Sequence, residues 1–439
     1  MTLQAIIAQG NFPSLSDTEA VNLFGSAFRS ELERLRNAEP TVESGTEKPA
    51  GSLKNGETPS RRLFQTDYAE VNRTLVNILA LKWILAEDYA SFTACQRDPG
   101  KLSEDSFRRL CEFFKSYKDI YTLLVAVVTD DLGKDPQLAN ELEKTRNGPT
   151  TTVKMVNHSE FLYEAAKAGM IPALESVPVS GRETILRSME IEVYLNISQL
   201  VQGENVPASL SILRNIQDGK NGFHMRAMVT ILDVAGAAAH SNARGCLVMT
   251  ESVYQGYMTA IEALEKLVLR EIPSERACYD QVLSKRARNL HLKGYDLLST
   301  NNAEERALLR IFCMGRVDNK QSANLFNKAF AKLSTTENSS LVNALNVDGL
   351  EDGIAILPYY APGLIAEVLR GAQKKEEPAI IEALSAFMRF LARVMEYESE
   401  TGDPRVIERD LSFVQDVIKS NGFKNDPYVL DNVQLPWSQ

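Results

Sequence analysis

Apolar residues recur along most of this chain at helical spacing, and the alternation that marks half-buried strands is scarce. Thr18 to Asn37 reads as one amphipathic helix, with Ser16 or Asp17 available as its N-cap. Further periodic segments run at about Tyr68 to Cys95, Ser103 to Thr129, Ser159 to Ala168, Arg182 to Gln202, Ala208 to Gln217, Phe223 to Ala239 and Thr250 to Leu269. Short Gly, Pro or Asn breaks separate them, as helix connections usually do. Beyond Ser299 to Glu304 a second set follows: Arg306 to Phe312, Lys320 to Lys332, Leu341 to Leu345, Pro362 to Gly371, Pro378 to Glu398 and Arg405 to Lys419. Only Thr150 to Val156 reads as an extension, and Pro427 to Gln439 as an extended tail pinned by Trp437. No fixed-period repeat is visible, which disfavours a solenoid. The expected fold class is all-α, a multi-helix bundle with additional C-terminal helices.

One stretch departs from the pattern. Ala38 to Arg61 is rich in Glu, Pro, Gly, Ser, Thr and Lys and almost devoid of large apolar residues, so it cannot bury enough surface to offset its ordering entropy. The expected organisation is therefore an N-terminal helix (1–37), a flexible linker (38–61), a helical core (62–300) and a C-terminal helical region (301–439).

Composition narrows the classes. At 439 residues the chain exceeds the size at which one core stops growing, and its 44% hydrophobic content supplies a sizeable interior. A formal net charge of −10 argues against a non-specific nucleic-acid binder, which needs a concentrated basic face. Met1 to Gly10 lacks a basic and apolar secretory leader, and no window approaches the roughly 18 apolar residues of a membrane span. The five cysteines (Cys95, Cys111, Cys246, Cys278 and Cys313) are scattered without a CxxC pair, which fits a reducing compartment and disfavours a thiolate zinc site. A soluble, cytoplasmic protein is expected, with neither nucleic acid nor membrane as partner.

Four places collect polar residues where they are costly. Asp130-Asp131-Leu132-Gly133-Lys134-Asp135-Pro136 follows the apolar run Leu123 to Val128, and carboxylates there need a metal, a cation or water. A helix stop also accounts for it, with Gly133 left-handed, Lys134 complementing the helix terminus and Pro136 blocking continuation. Asn157-His158-Ser159-Glu160 precedes a helix, so the imidazole reads either as a capping residue or as a ligand or acid. On the segment from Phe223, Asp233 and His240 fall within about 20° of each other around an ideal helix, flanking the small Gly236 and Ala237. That arrangement serves a metal site or tight helix packing. Finally, Gln199, Gln202, Glu204 and Asn205 form a helix end and turn, either solvated or able to hydrogen-bond a ribose or base.

The run Val127-Val128-Thr129-Asp130-Asp131-Leu132-Gly133-Lys134 resembles the apolar-His-Asp-(Ile/Leu)-Gly-Lys signature of HD-domain metal-dependent phosphohydrolases, and Asn157-His158-Ser159-Glu160 resembles a later His-bearing motif of that family. The general plan is similar to fungal members acting on an adenosine-type monophosphate. The resemblance implies an all-helical HD-like bundle in which histidines and aspartates hold one or two divalent ions that activate water against phosphorus. Asp130 stands where the family has histidine, and no histidine precedes it. Carried over, the metal set is Asp130, Asp131, His158 and Asp233, with Lys134 on the phosphate and Glu160 or His240 managing protons. The implied cofactor is Mn, Mg, Zn or Fe, and the implied partner a small phosphorylated substrate such as a nucleotide. The alternatives are a non-catalytic helical binding or scaffold protein derived from such a fold, or a helical non-haem oxygenase.

Overall fold

A computed structural model describes residues 1–38, 58–147, 158–216, 219–373, 375–396 and 405–437. The first long helix begins where the sequence provides a reciprocal cap: the Ser16 hydroxyl accepts from the Glu19 N–H (3.2 Å), and the Glu19 carboxylate accepts from the Ser16 N–H (2.8 Å). In chain order the longer helices are α1 (Asp17–Ala27), α2 (Ala69–Leu85), α3 (Glu104–Lys115), α4 (Ile120–Thr129), α5 (Pro136–Asn147), α6 (His158–Lys167), α7 (Val179–Tyr194) and α8 (Gly219–Gly236). They continue as α9 (Glu251–Val268), α10 (Glu275–Leu292), α11 (Ala303–Met314), α12 (Lys320–Phe330), α13 (Thr335–Asn346), α14 (Ala361–Ala372) and α15 (Glu377–Met395). Helix dominates, as expected. None among the described residues is long and apolar enough to cross a membrane.

Several expected long helices are broken, each for a local reason. Thr18 to Asn37 is interrupted at Phe28, whose backbone (φ −123°, ψ 40°) leaves the helical region before a short helix, Arg29–Leu35. Within Tyr68 to Cys95 and Ser103 to Thr129 an aspartate restarts the chain: Asp88 accepts from the Ser91 N–H (3.0 Å) and Asp119 from the Thr122 N–H (3.0 Å). The last residues of the expected linker are ordered, since Thr58 caps a short helix, Pro59–Phe64. The rest of that linker and the Thr150 to Val156 extension lie outside the described residues.

The described residues form two compact units: the chain up to Tyr194 with Ile216–Met258, and Leu195–Asn215 with the chain from Thr259. This differs from a boundary near 300, because α10 packs on α11 and on the turn Pro207–Ser211, drawing both segments into the second unit.

In the first unit α2, α4 and α8 are buried nearly all round, as helices packed on several sides are. α8 packs against α2, α4 and α7. Gly236 permits a close approach of α2, since a Cβ there would collide with Asn77 Oδ1 and stand 2.7 Å from the Arg73 carbonyl oxygen. Burying Phe223, Met228 and Leu232 in this interior contributes roughly 1.5–3 kcal/mol each, before the entropy of ordering is subtracted.

The second unit is arranged about α15, which packs against α12, α13 and α14. Two short strands, β1 (Ala355–Tyr359) and β2 (Val406–Asp410), pair in parallel from Ala355↔Val406 to Tyr359↔Asp410. Arg405 to Lys419 is thus not one helix. Its β-branched start, Val406-Ile407, joins the buried Ala355-Ile356-Leu357, and a helix resumes only at Gln415–Lys419. The tail is not wholly extended either: Pro427–Asn432 is a 3-10 turn, and Arg393 donates to the carbonyl oxygens of Leu430 (2.9 Å), Asp431 (2.7 Å) and Val433 (2.5 Å). Trp437 lies edge-on to Phe413 (5.8 Å) with Arg409 over its ring (4.8 Å).

Candidate functional site

Two helices that are buried on most sides each carry a polar stripe. On α2 it is Glu70, Arg73 and Asn77; on α8 it is Arg226, Thr230 and Asp233, both at the three-or-four spacing that aligns side chains on one helix face. These stripes meet the residues that follow α4. Asp130 accepts two hydrogen bonds from Arg226 (2.8 and 3.1 Å), and Arg226 also pairs with Glu192 of α7 and donates to Thr230 (3.2 Å). Arg73 grips Asp233 through two bonds (2.7 and 2.6 Å), with its Nε 4.0 Å from Asp131. Lys134 bridges Asp131 (2.8 Å) and Glu70 (2.9 Å).

Asp130, Asp131, Lys134 and Asp233 are therefore brought together from segments remote in sequence. His158 opens α6 beside them: a Cβ on Gly133 would come 2.1 Å from the His158 carbonyl oxygen. Gly133 does not take the left-handed conformation expected of it; it sits in a 3-10 turn, Leu132–Lys134, where the missing side chain admits the start of α6. Glu160, exposed in the first turn of α6, takes no part in the cluster's ion pairs. His240 does not share a face with Asp233, because α8 ends at Gly236. Its Nδ1 instead lies 3.2 Å from the Ala237 carbonyl oxygen.

Sequence reasoning missed Glu70, Arg73 and Arg226. The signal was present, since charges at regular spacing on a helix buried all round need partners on the neighbouring helix.

The cluster is closed on one side and open on the other. Side-chain exposure is 4% at Glu70 and 3% at Arg226, against 24% at Asp233 and 20% at Glu192. Burial, reinforced by the Asp131 charge, pushes Glu70 up to about 7, and burial raises Asp130 to about 6 although Arg226 opposes it. Asp131, equally desolvated, is held well below the ordinary carboxylate range by Lys134 and Arg73. Lys134 is raised: burial works against its charge, but Asp131 and Glu70 outweigh it. The surrounding protein and the Lys134 cation keep the His158 imidazole below its usual value, although the residue as a whole is exposed.

As a metal centre this arrangement fits poorly. A guanidinium lies between Asp131 and Asp233, and another holds both oxygens of Asp130. Among the described residues no group of three or more His, Cys, Asp or Glu side chains is placed to hold a metal ion.

The fourth polar place belongs to the second unit, where Glu204 and Asn205 are buried and Gln199 and Gln202 are half-buried. Glu204 is 4% exposed and accepts from the Tyr360 N–H (2.7 Å) at the start of α14, where Tyr360 has φ +77°. Burial pushes its carboxyl up to about 8. The neighbouring carbonyls of Gly203 and Asn205 are held by Arg310, and Asn205 also by the Tyr279 hydroxyl (2.8 Å). Gln199 and Gln202 make only long contacts, to Glu408 and Arg316 (3.5 Å each).

A protein-family model matches residues 21–430, which takes in most of both units. The chain belongs to DUF6829, a family of unknown function. No curated protein and no solved structure matches this DUF6829 chain. Its functional reading therefore rests on the charge cluster.

Proposed function

We propose that this chain is a non-catalytic helical binding or scaffold protein whose phosphohydrolase-like centre is bridged by its own cations. One observation carries the reading: Arg73 spans Asp233 and approaches Asp131, while Arg226 closes on Asp130, so the carboxylates that resemble metal ligands already have positive partners. Bidentate guanidinium pairs are geometrically specific and costly to break when buried. The bridges run from α2 to α8 and from α8 to the end of α4, and to α7 through Glu192, so they tie four helices as a structural ion would.

A metal-dependent phosphohydrolase acting on a small phosphorylated substrate is the rival. The experiment is a phosphate-release screen over nucleoside mono-, di- and triphosphates with Mn, Mg, Zn or Fe, alongside metal analysis of untagged protein. Background rates and substoichiometric metal are expected. Metal-dependent release that Asp131→Ala abolishes, with the variant's fold intact by circular dichroism, would overturn the proposal. Arg73→Ala sharpens it: removing the guanidinium should let Mn raise the melting temperature where the parent shows no response.

A further inference from the structure

The two most exposed large apolar side chains described in the second unit stand at the end of α10 and just beyond it: Leu292 is 84% exposed and Leu297 57%. The backbone fixes them there. Gly294 (φ +86°) ends the helix, its N–H donating to the His291 carbonyl (2.9 Å) and the Tyr295 N–H to that of Leu290 (3.1 Å). Leu290 and Tyr295 turn inward, Tyr295 edge-on to Phe312 (5.7 Å), so Leu292, about 200° further round the helix than Leu290, faces out. Cations surround the two leucines. Lys285 and Arg288 precede Leu292 by seven and four positions, which puts all three on one helix face, and both are exposed. Arg286 donates to the Val317 carbonyl (3.0 Å) and Lys293 to that of Asp318 (2.6 Å), which seats residues 315–320 beside the helix end and adds Arg316 and Lys320. A Cβ on Gly294 would stand 4.0 Å from Lys320 Nζ. Among the described residues none of these six cations is in an ion pair. Asp296 and Asp318 are the only acids in residues 281–300 and 315–320.

In a chain of net charge −10 this is a local reversal of sign. A solvated face accounts for the lysines and arginines, but not for two leucines held in water among them. Side chains this exposed project rather than line a groove, so the surface suits a partner that yields to them. A bilayer does so: anionic headgroups attract Lys and Arg, and the acyl boundary accepts apolar side chains. No described helix is long and apolar enough to cross a membrane, but docking on the surface needs none. We infer that this end of the second unit docks on an anionic lipid surface, with Lys285, Arg288, Lys293 and Lys320 against the headgroups and Leu292 and Leu297 inserted at the acyl boundary. This goes beyond the scaffold reading and does not rest on it, since the surface uses no residue of the charge cluster.

The test is co-sedimentation of the full chain with vesicles of phosphatidylcholine, alone or mixed with phosphatidylserine. Binding to the mixed vesicles at about 0.1 M salt is expected, weaker by about tenfold or more on phosphatidylcholine alone or at about 1 M salt. Lys285→Glu/Arg288→Glu should lose about tenfold or more in partitioning, and Leu292→Ser/Leu297→Ser about fivefold or more. Both variants should keep the parent's melting temperature, since all four side chains are exposed. Arg108→Ala, which changes an exposed cation of α3 in the first unit, should partition as the parent does. Failure to bind the mixed vesicles, equal binding to phosphatidylcholine alone, or parent-like binding by either double variant would overturn the inference. Binding of soluble polyglutamate in place of vesicles would also overturn it, by assigning the surface to an acidic protein. The measurement contains neither nucleotide nor added metal, so its outcome is separate from that of the phosphate-release screen.

Discussion

Each unit contains a pair of arginines that hold distant segments together, but Arg310 of the second pair is built on different acceptors. In the first unit Arg73 and Arg226 meet carboxylates, five acids against three cations once Glu70, Asp130, Asp131, Glu192, Asp233 and Lys134 are included, and one side of the group reaches solvent. In the second unit Arg306 and Arg310 are fully buried. Arg306 has Asp280 (2.7 Å) and Asp348 (3.3 Å), whereas Arg310 has backbone: Leu345 (2.6 Å), Gly203 (3.2 Å) and Asn205 (3.1 Å) carbonyl oxygens. Burial with only neutral acceptors lowers the Arg310 pKa, so its charge is tolerated because the carbonyl dipoles surround it. Carboxylates can take up a proton and loosen; carbonyls cannot. The first pair is thus adjustable by pH, and Arg310 is a fixed fastening.

The largest effect should come from breaking the fixed one. Arg310→Met takes the guanidinium donor away from three buried carbonyls, and a loss of about 3–5 kcal/mol is expected in urea unfolding. Arg226→Met comes next, at about 1–3 kcal/mol, because Asp130 and Glu192 can relieve their repulsion by binding a proton or water. Its cost should accordingly be greater at pH 8 than at pH 5. A smaller value for Arg310→Met than for Arg226→Met would reverse the contrast between the units.

The pH dependence of the parent sharpens it further. Glu70, Asp130 and Glu204 have folded pKa values of about 7, 6 and 8, above their unfolded values of 4.5, 3.8 and 4.5. The folded chain therefore holds more protons than the unfolded chain between those limits, and stability falls as pH rises through them. Asp131, depressed in the fold, has the opposite sign and withdraws stability only as pH falls below the ordinary aspartate range. The melting temperature should peak near pH 4 and decline to pH 8. Glu204→Gln should recover on the order of 1 kcal/mol at pH 8 and almost nothing at pH 4.5, since the glutamine oxygen can still accept from the Tyr360 N–H. The smallest change is expected for Lys328→Ala, which removes an exposed pair with Glu377, at about 0–1 kcal/mol.

The helical class was legible because burial imposes its period directly on residues such as Phe107, Leu110, Cys111 and Phe114 of α3. Helix ends were less so: Asp88 and Asp119 are unremarkable acids until their carboxylates are seen to accept from the N–H three residues on. The strands were hidden because β1 is buried over most of its length and reads as one apolar run carrying Pro358, without the alternation of a half-exposed strand. At the candidate site Asp130 and Asp131 drew notice by their cost after an apolar run. Their partners lie 96 residues away at Arg226 and on α2 at Arg73, so nothing local in the chain indicated what would neutralise them. His240 was misjudged for a simpler reason, as its angle relative to Asp233 assumed a helix that stops at Gly236.

Arg393 reaches the tail through the oxygens of Leu430, Asp431 and Val433, which every amino acid presents alike. Such a fastening is blind to side-chain identity but counts residues: exchanges at Leu430 or Val433 leave its oxygens in place, whereas one inserted or deleted residue shifts all of them out of register. Sequence drift in this strap should therefore run through substitution and hardly ever through a change of length.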